Sequence, residues 1–406
     1  MQYFKHIELI RLYNISDKTV RNWIDSAVAG KINLEIYEKN GRSYIANTLG
    51  NNAILDNLAA RSKKYRNKRA HRSVCPDEDF YRLYESSEIR DIISTLEAHR
   101  ELPHQYRYKG EGAKYWDQYL HKLYSSGTNN MLLATSRLLH LTLPYLLEIA
   151  NSYKHINVID VGVGNALVLK DFLQLLGKSG KLKKYVGIDI SSELLDIAES
   201  NVRQWLGDSI IIEKYIRDIS WQRFSDATMG DSFGEDAANT INFVLFLGGI
   251  MPNFRRPEVA LDTIRNSINK NDLLLVSDKL DTDAARRFFD FSINGDKQKL
   301  ARYNQHLLSL MGISDDLYEV EHSFDEKEMS RQILIKFKVA VSLNFEVGSF
   351  KKTLDIPKGE RVLLWRGTHF SAEKLVDVFQ SQGFNTLQTT KIKGNEEYLM
   401  LTFEGA

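Results

Sequence analysis

Only one cysteine, Cys75, occurs in 406 residues, so the chain can form neither an intrachain disulfide nor a cysteine-based zinc site. Long apolar runs are also missing. The longest, around Ile241–Met251, covers about eleven residues, while a membrane-spanning helix needs roughly twenty. The first residues, MQYFKHIELIRLYN, interleave charge with apolar positions and lack the apolar stretch and small-residue end of a secretory signal. Net charge is small too, +1 at pH 7, and gives no strong overall attraction to nucleic acid or membrane. The histidines, among them His121, His140, His155, His306, His322 and His369, show no ligand spacing with carboxylates. The expectation is a soluble, cytoplasmic protein without a metal and without a membrane partner.

A chain of this length exceeds what one hydrophobic core usually serves, so two or three folding units are expected. Charge is uneven along it. Residues 1–74 carry 14 Lys and Arg against 6 Asp and Glu, leaving 40 against 47 in the remainder. Residues 4–13 and 17–28 repeat apolar positions at helical spacing, and Asn14-Ile15-Ser16-Asp17 supplies the turn and cap between them. In the second helix Val20, Trp23 and Ile24 are expected to be buried, with Lys18, Thr19, Arg21 and Asn22 facing outward. Alternation on either side of Asn40-Gly41 predicts a hairpin over 34–45. Helix-turn-helix plus hairpin resembles the winged helix of the MerR and excisionase type over residues 3–47. A further helix from about Asn51 ends in a segment, 61–72, with seven basic residues in twelve. Such a module suits DNA or a protein partner, and a solvated basic linker would carry the same charges.

From His155 onward, strands and helices alternate as in a parallel doubly wound sheet. Asn157-Val-Ile-Asp160-Val-Gly162-Val-Gly164 is an apolar strand ending in a carboxylate and a glycine turn, with a helix N-terminus expected at about Asn165. Tyr185-Val-Gly-Ile-Asp189 is a second strand with a terminal carboxylate, suited to accept from ribose hydroxyls. A third ends at Asp218, where an adenine amino group would meet it. The third glycine of the dinucleotide pattern is absent, Leu167 standing at its position, which favours S-adenosylmethionine over a nicotinamide cofactor.

The fourth strand, Ile241-Asn-Phe-Val-Leu-Phe-Leu-Gly248-Gly-Ile-Met-Pro-Asn253, together with Tyr106-Arg-Tyr108, Val276-Ser-Asp278 and Ala301-Arg-Tyr-Asn304, resembles the histidine-specific methyltransferase family of ergothioneine biosynthesis over roughly residues 100–406. The resemblance implies that Asn253 contacts the acceptor amine, that Tyr108 and Tyr124 line the same pocket, and that Gly248 joins the cofactor residues. This sequence departs from the family where its histidine-methylating members hold the imidazole with a glutamate and a serine. Trp365 and Gly367 stand at those places and Phe291 replaces a pocket tyrosine, so Phe291, Trp365 and Arg366 are expected among the substrate-binding residues, with Trp365 and Arg366 reshaping the pocket. Histidine is therefore not the expected acceptor. N-methylation of another amino acid, a small amine or a peptide amine is.

Two other readings stay open: a DNA-binding regulator that senses S-adenosylmethionine or a metabolite, and a methyltransferase of a protein or peptide captured by the N-terminal module. DNA methylation is disfavoured, because Gly249-Ile-Met-Pro-Asn-Phe is not the Asp/Asn-Pro-Pro-aromatic motif of exocyclic-amine enzymes. The expected architecture is α/β: a winged helix-turn-helix over 1–74, a helical connector over 75–100, a Rossmann-like class I methyltransferase core over 101–280, and a smaller α+β substrate domain over 281–406.

Overall fold

The computed structural model describes residues 3–13, 15–39, 41–127, 130–229, 237–282 and 300–405. Two compact units divide the chain, Met1–Ser73 with Val339–Ser342, and Val74–Lys338 with Leu343–Ala406.

In the first unit, helices α1 (His6–Tyr13) and α2 (Asp17–Val28) precede an antiparallel hairpin of β1 (Ile36–Lys39) and β2 (Arg42–Ile45). A long helix, α3 (Leu49–Ala70), and a short strand, β3 (His71–Val74), follow. Ser16 caps α2, its hydroxyl accepting the Thr19 N–H at 3.2 Å. Val20, Trp23 and Ile24 are buried as their spacing predicts, packed with Leu9, Ile45 and Leu55, while Lys18, Arg21 and Asn22 face solvent. Asn14 and Asn40, both named for turn chemistry, lie outside the described residues, as do the side chains of 62–70 in the basic stretch. The hairpin is fastened to α3 by Asn51. That buried side chain accepts the Glu35 N–H at 2.8 Å and donates to the carbonyls of Glu35 and Ala46 at 2.9 and 2.8 Å.

The second unit opens with α4 (Glu78–Leu83) and α5 (Ser86–His99), the pair expected as a connector, and continues through α6 (Glu111–Ser125) and α7 (Met131–Ile149). Five parallel strands follow in βα alternation: β4 (His155–Val161), β5 (Leu182–Asp189), β6 (Ile211–Ile216), β7 (Thr240–Phe246) and β8 (Leu273–Lys279). The chain then leaves the sheet. Strands β9 (Tyr318–Asp325), β10 (Ser330–Phe337) and β13 (Arg361–Thr368) form an antiparallel sheet in the order β13-β10-β9, and β11 (Ala340–Val347) and β12 (Phe350–Ile356) are neighbours in another. It returns with β14 (Asn385–Ile392) and β15 (Asn395–Glu404), so the full order is β14-β15-β8-β7-β4-β5-β6 with β15 antiparallel to both its neighbours.

This return corrects the division expected at residue 280. The last two strands complete the cofactor-side sheet rather than a separate C-terminal domain, because β15 pairs along the whole of β8, Tyr398 opposite Lys279 through Glu404 opposite Leu273. Alternate residues of each strand serve opposite faces. Ile156, Val158, Phe243 and Leu245 pack under α7 and, with α8 (Lys170–Lys178) and α9 (Ser192–Leu206), build one layer. Ile159, Val161, Val244 and Phe246 pack under α11 (Pro257–Arg265) and α13 (Ala372–Ser381) to build the other. Two further helices, α10 (Ser225–Met229) and α12 (Arg302–Leu310), complete the unit. With both faces covered, the strand ends are where polar groups can meet a ligand.

Asn51→Ala should lower the stability of the first unit by roughly 1–3 kcal/mol, since three hydrogen bonds are lost and the Glu35 N–H is left without its acceptor, while the Glu35 and Ala46 carbonyls keep the backbone N–H groups of Ala46 and Thr48; urea unfolding followed by tryptophan fluorescence checks this.

Candidate active site

A cavity of about 270 Å³ opens at the carboxyl ends of β4, β5, β7 and β8. Its floor is the turn after β4. Gly162, Gly164 and Ala166 alternate through positive φ (77°, 54° and 57°), a path that side chains oppose, so glycine at the first two positions keeps the backbone close to whatever the cavity holds. A Cβ on Gly164 would lie 3.6 Å from Trp116 Nε1. Asn165 is buried and ties this turn down: its amide donates to Asp117 at 2.8 Å, its oxygen accepts the Leu167 N–H at 3.1 Å, and Asn201 donates to its carbonyl at 2.9 Å. The helix expected from about Asn165 therefore starts later. A single 3₁₀ turn, Leu167–Leu169, precedes α8 at Lys170.

Asp189 ends β5 in the cavity wall. Burial pushes its carboxyl up to about 6, opposed by backbone N–H groups of Ser191, Gly164, Ile190 and Val163 that stabilise the anion. Asp218 also lines the cavity, its Oδ1 accepting the N–H and hydroxyl of Ser220 at 3.0 and 2.5 Å. Asp160 does not line it. The carboxyl lies behind the turn, accepts the Tyr185 hydroxyl at 2.8 Å, and is raised to about 7 by burial. Its contact is with the sheet that carries the turn.

At the end of β7, Gly248 and Gly249 adopt φ of 79° and 70°. Ser277 holds this bend from β8, its hydroxyl accepting the Gly248 N–H at 3.0 Å. The bend leads into a 3₁₀ turn, Met251–Asn253, that sets Asn253 in the wall. Asn253 Nδ2 donates to the Gly249 carbonyl at 3.1 Å, which leaves the amide oxygen as the acceptor to present to an amine N–H.

Aromatic rings close the opposite side. Tyr108 packs against Trp116 and Tyr303 with ring centroids 5.0 and 6.2 Å away, and Trp116 stacks on Tyr119. Burial holds the Tyr108 hydroxyl above its ordinary range, so it stays protonated and able to donate. Arg107 fixes its neighbour: buried, it donates to the His104 carbonyl at 2.7 Å, to Asn304 Oδ1 at 2.6 Å and to the Leu364 carbonyl. Two sequence segments nearly two hundred residues apart, those of Tyr108 and Asn304, meet through this one guanidinium. Tyr124 is not in the wall; on α6 the cavity is met by Trp116, Tyr119, Leu120 and Leu123.

From the smaller sheet come Trp365, Gly367, Thr368 and His369 of β13 and its end, with Arg331 of β10 opposite Gly367. The indole of Trp365 lies over Gly367: a Cβ there would come within 2.5 Å of the ring. Arg331 stacks beside the same indole, its Cζ 5.9 Å from the ring, and donates from Nε to His369 at 2.6 Å. Arg366 is not a pocket residue. Side chains alternate along a strand, so with Trp365 and Gly367 inward Arg366 turns away, where it pairs with Glu101 at 2.6 Å. Phe291 lies outside the described residues. No group of three or more His, Cys, Asp or Glu with metal-binding geometry occurs among the described residues.

The sequence profile of the family described as "Histidine-specific methyltransferase, SAM-dependent" matches residues 88–402. The chain belongs to this family. No curated protein matches it. Solved structures similar to it include a S-adenosylmethionine-dependent methyltransferase from Clostridium acetobutylicum ATCC 824, 13% identical, covering 71% of this chain and 98% of that one with a TM-score of 0.39. Another is magnesium protoporphyrin IX methyltransferase from Synechocystis PCC 6803 with bound SAH, 11% identical, 74% and 98% covered, TM-score 0.38. A third is the glycopeptide N-methyltransferase MtfA complexed with S-adenosyl-L-homocysteine, 11% identical, 67% and 90% covered, TM-score 0.31. The strand order β14-β15-β8-β7-β4-β5-β6 defines the fold.

As a member of this methyltransferase family the protein uses S-adenosylmethionine, and its residues fit that molecule. Gly162, Gly164 and Gly248 leave bare backbone along the cavity, and of the carboxylates in its wall the buried Asp189 would face the ribose hydroxyls and the half-buried Asp218 the adenine side. Bound there, S-adenosylmethionine supplies an electrophilic methyl carbon on a sulfonium. What the protein adds is positioning and the exclusion of water by the aromatic wall. Several wall residues escaped the sequence reading: Trp116, Asn165, Asp278, Arg331 and His369. Trp116 and Asp278 lie in or beside segments that carried the family resemblance, Asn165 follows the glycine turn and His369 stands two residues after Gly367, whereas nothing local in the sequence marks Arg331.

Cofactor affinity should weaken as pH falls through about 6, by up to about tenfold per pH unit, because the ribose hydroxyls need the Asp189 anion and a carboxyl raised by burial must first lose its proton. Calorimetric titration with S-adenosylmethionine from pH 5 to 8 measures this, and Asp189→Asn should bind weakly with a flattened profile.

Proposed function

We propose that this enzyme N-methylates an amino acid, small amine or peptide amine other than histidine. The observation that carries the reading is the Trp365 ring seated over Gly367. Where histidine-methylating members of the family hold the imidazole with a glutamate and a serine, this pocket offers an indole and no side chain at all. At those two positions an imidazole would find neither a carboxylate nor a hydroxyl, and a serine in place of Gly367 would collide with the ring. Asn253 and Tyr108 provide, respectively, an acceptor and a donor for an α-amine and its neighbouring group. Calorimetry and a radiolabelled methyl-transfer assay with histidine should both read below detection in protein that binds S-adenosylmethionine. Tight histidine binding would reverse the proposal.

The exposed face of α2 favours a second reading for the N-terminal unit. Lys18, Arg21 and Asn22 stand together on the surface of the second helix of a helix-turn-helix followed by a hairpin, the arrangement of a winged helix that docks on DNA or on a protein. A gel shift on random-sequence duplex should then weaken by roughly tenfold or more in Lys18→Ala/Arg21→Ala at low salt, and cofactor dependence of the shift would mark a sensor. An unchanged shift would leave the surface to a protein partner, including a substrate captured for methylation.

A further inference from the structure

We propose that Asp278 is the proton acceptor that turns the substrate's ammonium into the neutral amine the reaction requires. The inference rests on the N-methyltransferase reading above and assigns a role within that site. Asp278 lies at the carboxyl end of β8, in the cavity wall, and is only 2% exposed. Its Oδ1 accepts the Lys279 N–H at 2.7 Å, while Oδ2, equally buried, has no hydrogen-bond partner among the described residues. A buried carboxylate oxygen without a donor is costly, and the usual resolution is a proton or a ligand that brings one.

Placement relative to Asn253 gives this oxygen its purpose. Both residues flank Gly249: Asn253 donates to its carbonyl, and a Cβ on Gly249 would stand 3.8 Å from Asp278 Oδ1. With no side chain at Gly249, nothing from that residue separates the two. Both side chains line the same cavity, so an amine held by the Asn253 oxygen would share it with a carboxyl group that can take its proton.

The environment tunes the group for that task. Burial raises Asp278 to about 8, with the Lys279 N–H and the charge of Arg331 pulling downward. The other titratable and charged groups around it are Lys279, whose ammonium lies 3.8 Å from Glu397, His369, held neutral by burial with its own value near 3, and Asp281 beside His369. A carboxyl near 8 lies close enough to an amino group to exchange a proton with it at neutral pH, whereas an ordinary carboxylate is several units too acidic. The step belongs to the ionised form of Asp278, whose share grows as pH rises toward 8: one N–H bond of the ammonium breaks, one O–H bond forms on Oδ2, and the freed lone pair becomes the nucleophile of methyl transfer.

The test uses the full-length enzyme with S-adenosylmethionine and an equimolar pool of the common amino acids and their amides as acceptors. Asp278→Asn should lose roughly 10²–10⁴ of the transfer rate and the rise of kcat/KM with pH, with S-adenosylmethionine affinity within about threefold of wild type, and Asp278→Glu should recover part of the rate. Independently of turnover, the carboxyl carbon resonance that disappears in Asp278→Asn should titrate near 8 in the wild type by carbon-13 NMR. An active Asp278→Asn with an unchanged pH profile overturns the proposal and leaves the N-methyltransferase reading standing. So does a resonance titrating in the ordinary carboxylate range. Loss of cofactor binding in the variant overturns it by making Asp278 part of that pocket. Wild-type protein that binds the cofactor yet methylates nothing in the pool sinks the acceptor reading, and the proposal with it.

Discussion

Everything in the catalytic unit depends on β4 lying between β5 and β7. At that point the order of the parallel strands reverses, so the loops after β4 and β7 diverge to opposite faces and leave a crevice, which residues of α6 close from the other side. Buried apolar layers on both faces make the sheet rigid and drive polar atoms to its carboxyl ends. The glycine turn, Asp189 and the Gly248-Gly249 bend all inherit their positions from this one crossing.

Rigid burial has an electrostatic consequence. Asp160, Asp189 and Asp278 are all raised, to about 7, 6 and 8, and desolvation leads in each case. Raised carboxyls hold protons more tightly folded than unfolded, so their contribution opposes folding increasingly as pH climbs from the ordinary carboxylate range through these values. At Asp189 and Asp278, which line the cavity, hydroxyl and amine donors from bound ligands would offset part of that cost, whereas Asp160 already accepts the Tyr185 hydroxyl. The site is built from groups that are better satisfied with ligands than without them.

The smaller sheet supplies what distinguishes this member of the family. Trp365 and Gly367 are one device rather than two substitutions, because the ring occupies the space a side chain at 367 would fill. Arg331, opposite Gly367 on β10, adds a cation against the same indole. The cavity therefore presents an aromatic and cationic wall from this sheet and the amide of Asn253 from the bend after β7.

The sequence by itself determined the local elements and the cofactor signal. Val20, Trp23 and Ile24 face inward because helical spacing permits nothing else, and Asp189 ends its strand because the apolar run stops there. The Trp365 and Gly367 departures were equally legible, being read against a known pattern. Tertiary structure alone decided that β14 and β15 rejoin the first sheet, that Arg107 clamps Asn304, that Arg366 points away from the pocket, and that Asp278 and Asn253 line one cavity. Each of these depends on strand pairing or packing between segments far apart in the chain, and periodicity within one segment carries no information about which distant partner it will meet.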